Sequence, residues 1–304
     1  MKAKNKTLKK SGFTEQDKIR AYILLAPFTI FFFLFTILPV LSSIVLSFFQ
    51  YDMISIPRFN GIGNYIRMII GDKVFWISVK NTLVFAVATG PIGFMLSFIL
   101  AWMVNEFNPL MRSVLSFMFY APSLAGNAFF VWTILFSGDS YGYINNFLIN
   151  LGVITQPIQW FNDARYTMAI CIMVQLWLST GISFLSNIAG LQNVNPELYE
   201  AGALDGIRNR WQELWYITLP GMKSILLFSC VMQLQSAFSA STVMTTLTGA
   251  PSVEYSTHTI VTHLNDVGTV RYEMGYAAAI SVFLFALMAI FREVVAKAIN
   301  NTGK

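Results

Sequence analysis

The chain has 304 residues, of which 55% are hydrophobic and 12% charged, with a formal net charge of +5. Soluble domains carry about 25% charged residues, so an ordinary water-facing surface is excluded. Seven long runs contain no Asp, Glu, Lys or Arg, six of them strongly apolar: Ala21–Tyr51, Asn81–Asn105, Ser113–Gly138, Tyr166–Pro196, Ser224–Val253 and Met274–Phe291. Each approaches or exceeds the roughly 20 apolar residues that cross a bilayer as a helix.

The N-terminal segment 1–20 has seven Lys or Arg and two acids. It reads as a basic cytoplasmic tail that sets orientation and touches anionic lipid. The apolar run behind it is too long for the core of a signal peptide, so the first span, Ala21–Phe48, is expected to be retained. The second and third spans are predicted at Thr82–Val104 and Leu115–Phe136. The next uncharged run, Ser140–Asn162, holds Asn145, Asn146, Asn150, Gln156, Pro157 and Gln159. That is too polar for a span, and it reads as an external, partly amphipathic segment. The fourth span is predicted at Met168–Ala189, the fifth at Ser224–Leu247 and the sixth at Tyr276–Ala298. With both termini inside, this arrangement puts 14 of the 20 Lys and Arg on the cytoplasmic side and 6 outside, whereas a seventh span gives 10 and 10. The positive-inside rule favours six. The predicted fold is therefore an all-α polytopic membrane protein: one domain over 21–298, with a second cytoplasmic tail at 299–304. Cys171 and Cys230 fall within spans, so no disulfide framework is implied.

The predicted spans carry no ionisable side chain at depth, and the sequence has no G-x-x-x-x-G-K-[ST] phosphate loop. Energy for transport would then come from another chain. The longest cytoplasmic loop, 190–223, carries the most structured charge. In "NVNPELYEAGALDG" Asn195 suits a helix cap, Pro196 its first position, and Glu197 and Glu200 its positive end. Ala201, Gly202 and Ala203 form a small-residue knuckle expected to face the cytoplasm. Gly206 suits the left-handed residue that ends a helix. In "RWQELWYITLP" Trp211, Leu214 and Trp215 share one helical face, as in an interfacial helix, and Pro220 leads into the fifth span. From the residues alone this loop is either a docking knuckle for a partner or an amphipathic linker.

The stretch resembles the E-A-A-x-x-x-G coupling loop of ABC-importer permeases, with Glu200, Ala201, Gly206, Ile217, Leu219 and Pro220 in the family's positions. Asp205 matches the acid that sugar-type members place before the glycine. Gly202 replaces the second alanine, and ten residues separate Gly206 from Ile217, one more than usual. The extra residue is expected in the turn around Arg208–Arg210. "FNGIGNY", "NTL", "VWTILF", "YGYINNFL", "LTGAP" and "MGYAAAISV" occur in the family's order, so the resemblance covers nearly the whole chain. It implies a type I ABC importer permease of the maltose, glycerol-phosphate and oligosaccharide kind, in a prokaryotic inner membrane. The implied partners are a second, distinct permease, two ATPase subunits and an extracytoplasmic solute-binding protein, with no nucleic acid. ATP and Mg would belong to the ATPase, this chain having no cofactor and no enzymatic activity. Glu200, Ala201, Gly202, Asp205 and Gly206 would carry the ATPase coupling.

Sugars are recognised by side-chain amides and aromatic faces. Candidate pathway residues are Gln233, Gln235, Ser236 and Ser239 in span five, with Asn127 and Gln175 elsewhere. Trp132, Trp177 and Phe238 are candidate stacking surfaces. Hydrogen bonding between helices is the alternative for each amide. His258 and His263, five residues apart, are expected as surface histidines rather than metal ligands. Glu254, Asp266, Arg271 and Glu273 share their loop and are candidates for contact with a binding protein. The competing readings are a self-contained carrier or channel, which needs a charged pathway or a filter, and an intramembrane enzyme, which needs convergent carboxylates or His/Cys.

Overall fold

Backbone polar groups in hydrocarbon must be paired within their own segment, and the long apolar runs accordingly fold as helix. The computed structural model describes residues 15–126 and 128–301. Residues 1–14 of the predicted basic tail lie outside the described residues, and Glu15–Arg20 already belong to the first helix.

α1 (Glu15–Phe32) passes through a π-helical turn, Phe33–Ile37, into α2 (Leu38–Leu46). None of its most apolar stretch is buried. Phe28 stacks on Phe32 and Phe31 on Phe35 along the helix. A helix apolar all round and uncovered is one that lipid or another chain surrounds. Then comes a hairpin of β1 (Phe49–Gln50) and β2 (Arg58–Phe59), paired Phe49 with Phe59 and Gln50 with Arg58. The short α3 (Gly63–Ile66) and a π turn at Arg67–Gly71 lead to α4 (Lys73–Asn105). Asp72 caps α4 by accepting from the Phe75 N–H at 2.9 Å. At 33 residues α4 is longer than a bilayer core requires, so it starts well before the predicted Thr82.

The expected third span, Leu115–Phe136, is not one helix. It is α5 (Pro109–Leu124) and α6 (Phe130–Leu135), with Ala125 extended between them. Pro122 removes a backbone donor in the last turn of α5, and Gly126 follows the break. α7 (Tyr143–Asn150) is the only helix in the polar run, which does not span. Asn145 explains the run's polarity. Its amide donates to the carbonyls of Ser137, Asp139 and Ile158 at 3.0–3.1 Å and accepts from the Ile158 N–H and the Trp160 indole.

α8 (Ala164–Leu178) and α9 (Ile182–Asn193) form one broken span. The coupling loop holds α10 (Pro196–Leu204), α11 (Arg210–Glu213), a π turn at Leu214–Thr218 and α12 (Leu219–Gly221). α13 (Lys223–Ser239) and α14 (Thr242–Thr248) form the next broken span, and α15 (Ile260–Asn265) precedes α16 (Met274–Asn301). Among the described residues five helical stretches are long and apolar enough to cross a membrane: Ile19–Leu46, Lys73–Asn105, Ala164–Asn193, Lys223–Thr248 and Met274–Lys297. α4, α9 and α13 pack on one another at the centre. Phe98, Phe184, Ile188, Leu226 and the coupling-loop residues Leu214 and Ile217 share one apolar core.

At the end of the bundle that holds the hairpin, α16 meets β1. The Gly275 N–H donates to the Tyr51 carbonyl at 3.2 Å, and a side chain at Gly275 would collide with the Phe49 carbonyl oxygen. Backbone cannot swing aside as a side-chain tip can. Gly275→Ala is therefore expected to cost about 1–3 kcal/mol, the usual penalty of overpacking, read as a lowered unfolding temperature of the purified protein.

The same end buries the two histidines, against the expectation of surface residues. His258 is 2% and His263 1% exposed. They form a chain with an acid: His258 Nε2 lies 3.4 Å from His263 Nδ1, and His263 Nε2 lies 2.9 Å from the Asp72 carboxylate, which also accepts from the Tyr276 hydroxyl at 2.7 Å. The chain engages both nitrogens of His263 but only Nε2 of His258, whose Nδ1 is buried with no partner among the described residues. Burial, then the neighbouring His263, lowers the His258 pKa from 6.5 to about 4; Arg271 acts the same way, while Asp266 and Asp72 oppose. Between those values the unfolded chain binds a proton that the folded chain does not. This contribution to stability is complete above pH 6.5 and is lost as pH falls toward about 4. His258→Gln is expected to flatten that part of the unfolding-temperature profile; an unchanged profile would remove His258 from the account.

Candidate functional site

The site begins at interruptions in two spans. Ser179, Thr180 and Gly181 break the α8–α9 span near its midpoint, and Ala240 breaks the α13–α14 span. Hydroxyls repair the first break: Thr180 Oγ donates toward the carbonyls of Trp177 and Phe119, at 3.0 and 3.2 Å, and Ser179 Oγ to Leu176 at 3.0 Å. The missing side chain of Gly181 lets α5 approach, because a Cβ there would sit 2.5 Å from Ser123 Oγ. The result is a cavity of about 240 Å³ lined by Ser123, Ser179, Gly181, Ser183 and the α13 residues Gln233, Gln235, Ser236 and Ser239.

The structure separates the candidate amides. Gln233 is 2% exposed. Its Nε2 donates to the Thr89 carbonyl at 3.2 Å and its Oε1 accepts from Ser183 Oγ at 3.3 Å, so it ties α13 to α4 and α9. Gly93 leaves the slot in which that amide lies. Gln175 is buried and donates to Ser236 Oγ at 3.1 Å, tying α8 to α13. Both act as helix-to-helix contacts. Gln235, two residues on and so turned about 200° round α13, is exposed, and its amide has no hydrogen-bond partner among the described residues. Ser239 lies beside it, its hydroxyl donating to the Gln235 carbonyl at 2.6 Å. Asn127 lies outside the described residues. Trp132 and Trp177 meet edge to face at 5.6 Å, and the Trp132 indole N–H is buried without a partner among the described residues. Phe238 is no stacking surface: it is 1% exposed and packs on Phe291, because it points to the α16 side of α13. Sequence reasoning missed Ser123, Ser179 and Ser183. The signal for Ser179 and Ser183 was the Ser-Thr-Gly interruption in the middle of an apolar run, and for Ser123 the adjoining Pro122.

At the opposite end of the core lies the coupling loop. Asn195 Oδ1 accepts from the Glu197 N–H at 3.1 Å and starts α10. Gly206 at φ +94° ends it, with the Ile207 N–H donating to the Gly202 carbonyl at 2.9 Å, the glycine stop of an α-helix. The knuckle is split. Glu200, Ala201, Ala203 and Asp205 are exposed and Leu204 is 90% exposed, while Gly202 is buried. A Cβ on Gly202 would lie 2.7 Å from Ile217 Cδ1 and 3.0 Å from Ile207 Cδ1. So Gly202 does not face solvent, against the expectation of an outward knuckle; it is the point where α10 presses on the π turn leading into α13. Leu214 is likewise turned inward, 6% exposed, while Trp211 and Trp215 remain outside. The loop is also tied to the end of α4, by Arg210 to Glu106 at 2.8 Å and Trp211 on Trp102 at 5.3 Å, and to itself, by Arg210 to Glu213 at 2.8 Å and the Tyr199 hydroxyl to Thr218 at 2.9 Å.

Residues 91–301 match the family described as binding-protein-dependent transport system inner membrane component. The probable ABC transporter permease protein YesP of Bacillus subtilis is 30% identical over 292 residues, covering 93% of this chain and 91% of that protein. The lactose transport system permease protein LacF of Rhizobium radiobacter is 28% identical, covering 93% and 95%. A crystal structure of a bacterial ABC transporter involved in the import of the acidic polysaccharide alginate has a chain of the same fold, with a TM-score of 0.77 at 21% identity over 95% of this chain and 98% of that one. With more than half of its length matched by the family and a full-length relative at 30% identity, the chain belongs to the binding-protein-dependent transport system inner membrane components.

Proposed function

We propose that the chain is one of two permease subunits of an ABC importer for a neutral carbohydrate, lining half of the translocation path and receiving its driving motion from ATPase subunits. The observation that carries this reading is the Gln235 amide, unpartnered beside Ser236 and Ser239 in a cavity at two interrupted spans. Unpaired amides are costly in hydrocarbon unless they face a cavity or a partner, and broken helices around a midplane site are a recurring feature of transporters. The cavity lining holds no charged side chain, which suits hydroxyl-rich neutral solutes; a phosphate would call for Arg or Lys.

In this reading α5 and α6 together make the third of six crossings, and both termini are cytoplasmic. α10 docks on an ATPase subunit through Glu200, Ala201, Asp205 and the projecting Leu204. Closure of the ATPases moves α10, which moves the π turn through Gly202 and Ile217, and α13 with it. The other partners are a second, distinct permease and an extracytoplasmic binding protein, the kind of partner the family's description names. ATP hydrolysis belongs to the ATPases. The test is ATPase activity of the complex co-purified from its co-expressed partners, reconstituted in lipid and titrated with a panel of sugars and the binding protein. Stimulation by a neutral sugar, selective against sugar phosphates, is the expected result; stimulation by charged solutes alone would overturn the solute assignment.

A further inference from the structure

The segment between the hairpin and α4 carries an apolar face that the transport path does not use. In the helical stretch 62–71, Asn64 and Met68 are buried, and the Asn64 amide donates to the carbonyls of Ser47 and Phe49, both at 2.9 Å. Tyr65 beside them donates to Ser47 Oγ at 2.7 Å. The other face shows Ile62, Ile66, Ile69 and Ile70, with Ile70 81% exposed. Their spacing of four, seven and eight residues from Ile62 makes one stripe on a helix.

Two observations say what covers this stripe. First, a single residue, Asp72, separates the segment from the first turn of α4, whose exposed face carries Lys73, Trp76 and Lys80, side chains that anchor the end of a span at headgroup level. Second, Trp76 on the exposed side of α4 donates its indole N–H to the Ile69 carbonyl at 2.8 Å. The stripe is therefore continuous with the span's own exposed surface, which includes Trp76 and Ile77. Tryptophan is enriched at the headgroup level of bilayers. Arg67, on the flank, reaches the other way, 2.7 Å from Glu273 and over the Tyr276 ring. An apolar stripe on one side, fully engaged polar groups on the other and a location at a span's entrance define an element lying in a membrane interface.

We propose that residues 62–70 are an interfacial anchor whose four isoleucines sit among lipid acyl chains of the leaflet at the α4 N-terminus. The anchor fixes the height of the hairpin and of the Asp72 cap relative to the bilayer. Its partner is the lipid surface and not another protein chain, and the inference does not depend on which solute is carried.

The test uses the assembled complex in phosphatidylcholine–phosphatidylglycerol vesicles. Nitroxide labels are placed at I66C and I70C, with S55C as a water-exposed reference and V87C as a span reference, in a background carrying C171A and C230A. Collision with oxygen, which concentrates in the bilayer, is compared with collision with a water-soluble nickel chelate. The anchor predicts an oxygen-to-nickel ratio at both isoleucine positions severalfold above S55C and below V87C, which lies deeper in the α4 span. A ratio equal to S55C means the stripe faces water, and exclusion of both reagents means a protein covers it; either result overturns the proposal. Carbene labelling of the unsubstituted complex from a photoactivatable acyl chain needs no mutation, and adducts within 62–70 are expected. Their absence, with adducts present on α4, would overturn it equally.

Discussion

Gly202→Leu is expected to lower solute-stimulated ATP hydrolysis by ~10-fold, within the range typical of coupling between sites, while the subunits still assemble. The glycine is where the exposed coupling helix touches the core: a Cβ at this position would stand only 2.7 Å from Ile217 Cδ1. Alanine needs only a shift of two isoleucine tips, so Gly202→Ala is expected to retain most activity. Leucine has no such room and must lift α10 off the π turn or tilt it. Glu200→Ala acts at the exposed face instead, weakening the ATPase contact without disturbing Ile217. The two variants are told apart by co-purification: Gly202→Leu keeps the ATPase bound but nearly idle, and Glu200→Ala loses it at raised salt, where exposed charge pairs are screened. Full stimulation in Gly202→Leu would remove the Gly202–Ile217 contact from the coupling route.

Gln233→Leu and Gln235→Leu, two residues apart on α13, are expected to fail in opposite ways. Gln233 holds three helices through Thr89 and Ser183. Losing it is expected to cost about 0.5–2 kcal/mol, the scale of interhelical hydrogen bonds in membranes. Leucine, branched where the amide is flat, also fills the Gly93 slot poorly. Unfolding temperature and the yield of complex fall, and transport per folded complex falls little. Gln235→Leu leaves the fold intact, since its amide bonds to no described residue, and lowers transport by about fivefold, the worth of one lost hydrogen bond to solute. Measuring unfolding temperature and uptake on the same preparations separates the roles; a stable Gln233→Leu paired with an unstable Gln235→Leu would reverse the assignment.

The membrane class was legible because charge-free runs are long and their physics is one-dimensional. The helix in the loop 190–223 was legible because caps and the terminating glycine are local signals, and α10 starts after Asn195 and stops at Gly206 as those signals require. What the sequence hid was direction. Gly202 and Ala203 look alike as small residues, yet only one is buried, because the orientation of α10 is set by Ile207 and Ile217, which lie beyond it in the chain. Gln233 and Gln235 look alike as amides, and only the neighbouring helices distinguish them. The buried His258–His263–Asp72 chain spans nearly the whole sequence separation between α4 and α15, beyond any local pattern. The interruption of the run Leu115–Phe136 was overridden by its average hydropathy, although Pro122 and Gly126 mark the place.

Solute is expected to cross through this chain only when ATPase subunits drive it through α10. The most direct measurement is uptake of radiolabelled sugar into proteoliposomes holding the full complex with the binding protein supplied, against proteoliposomes holding the two permeases alone. ATP-dependent uptake by the full complex, strongly reduced by Gly202→Leu and absent from the permeases alone, is the predicted result. Uptake that persists without ATPase subunits would contradict the account and make this chain a self-contained carrier.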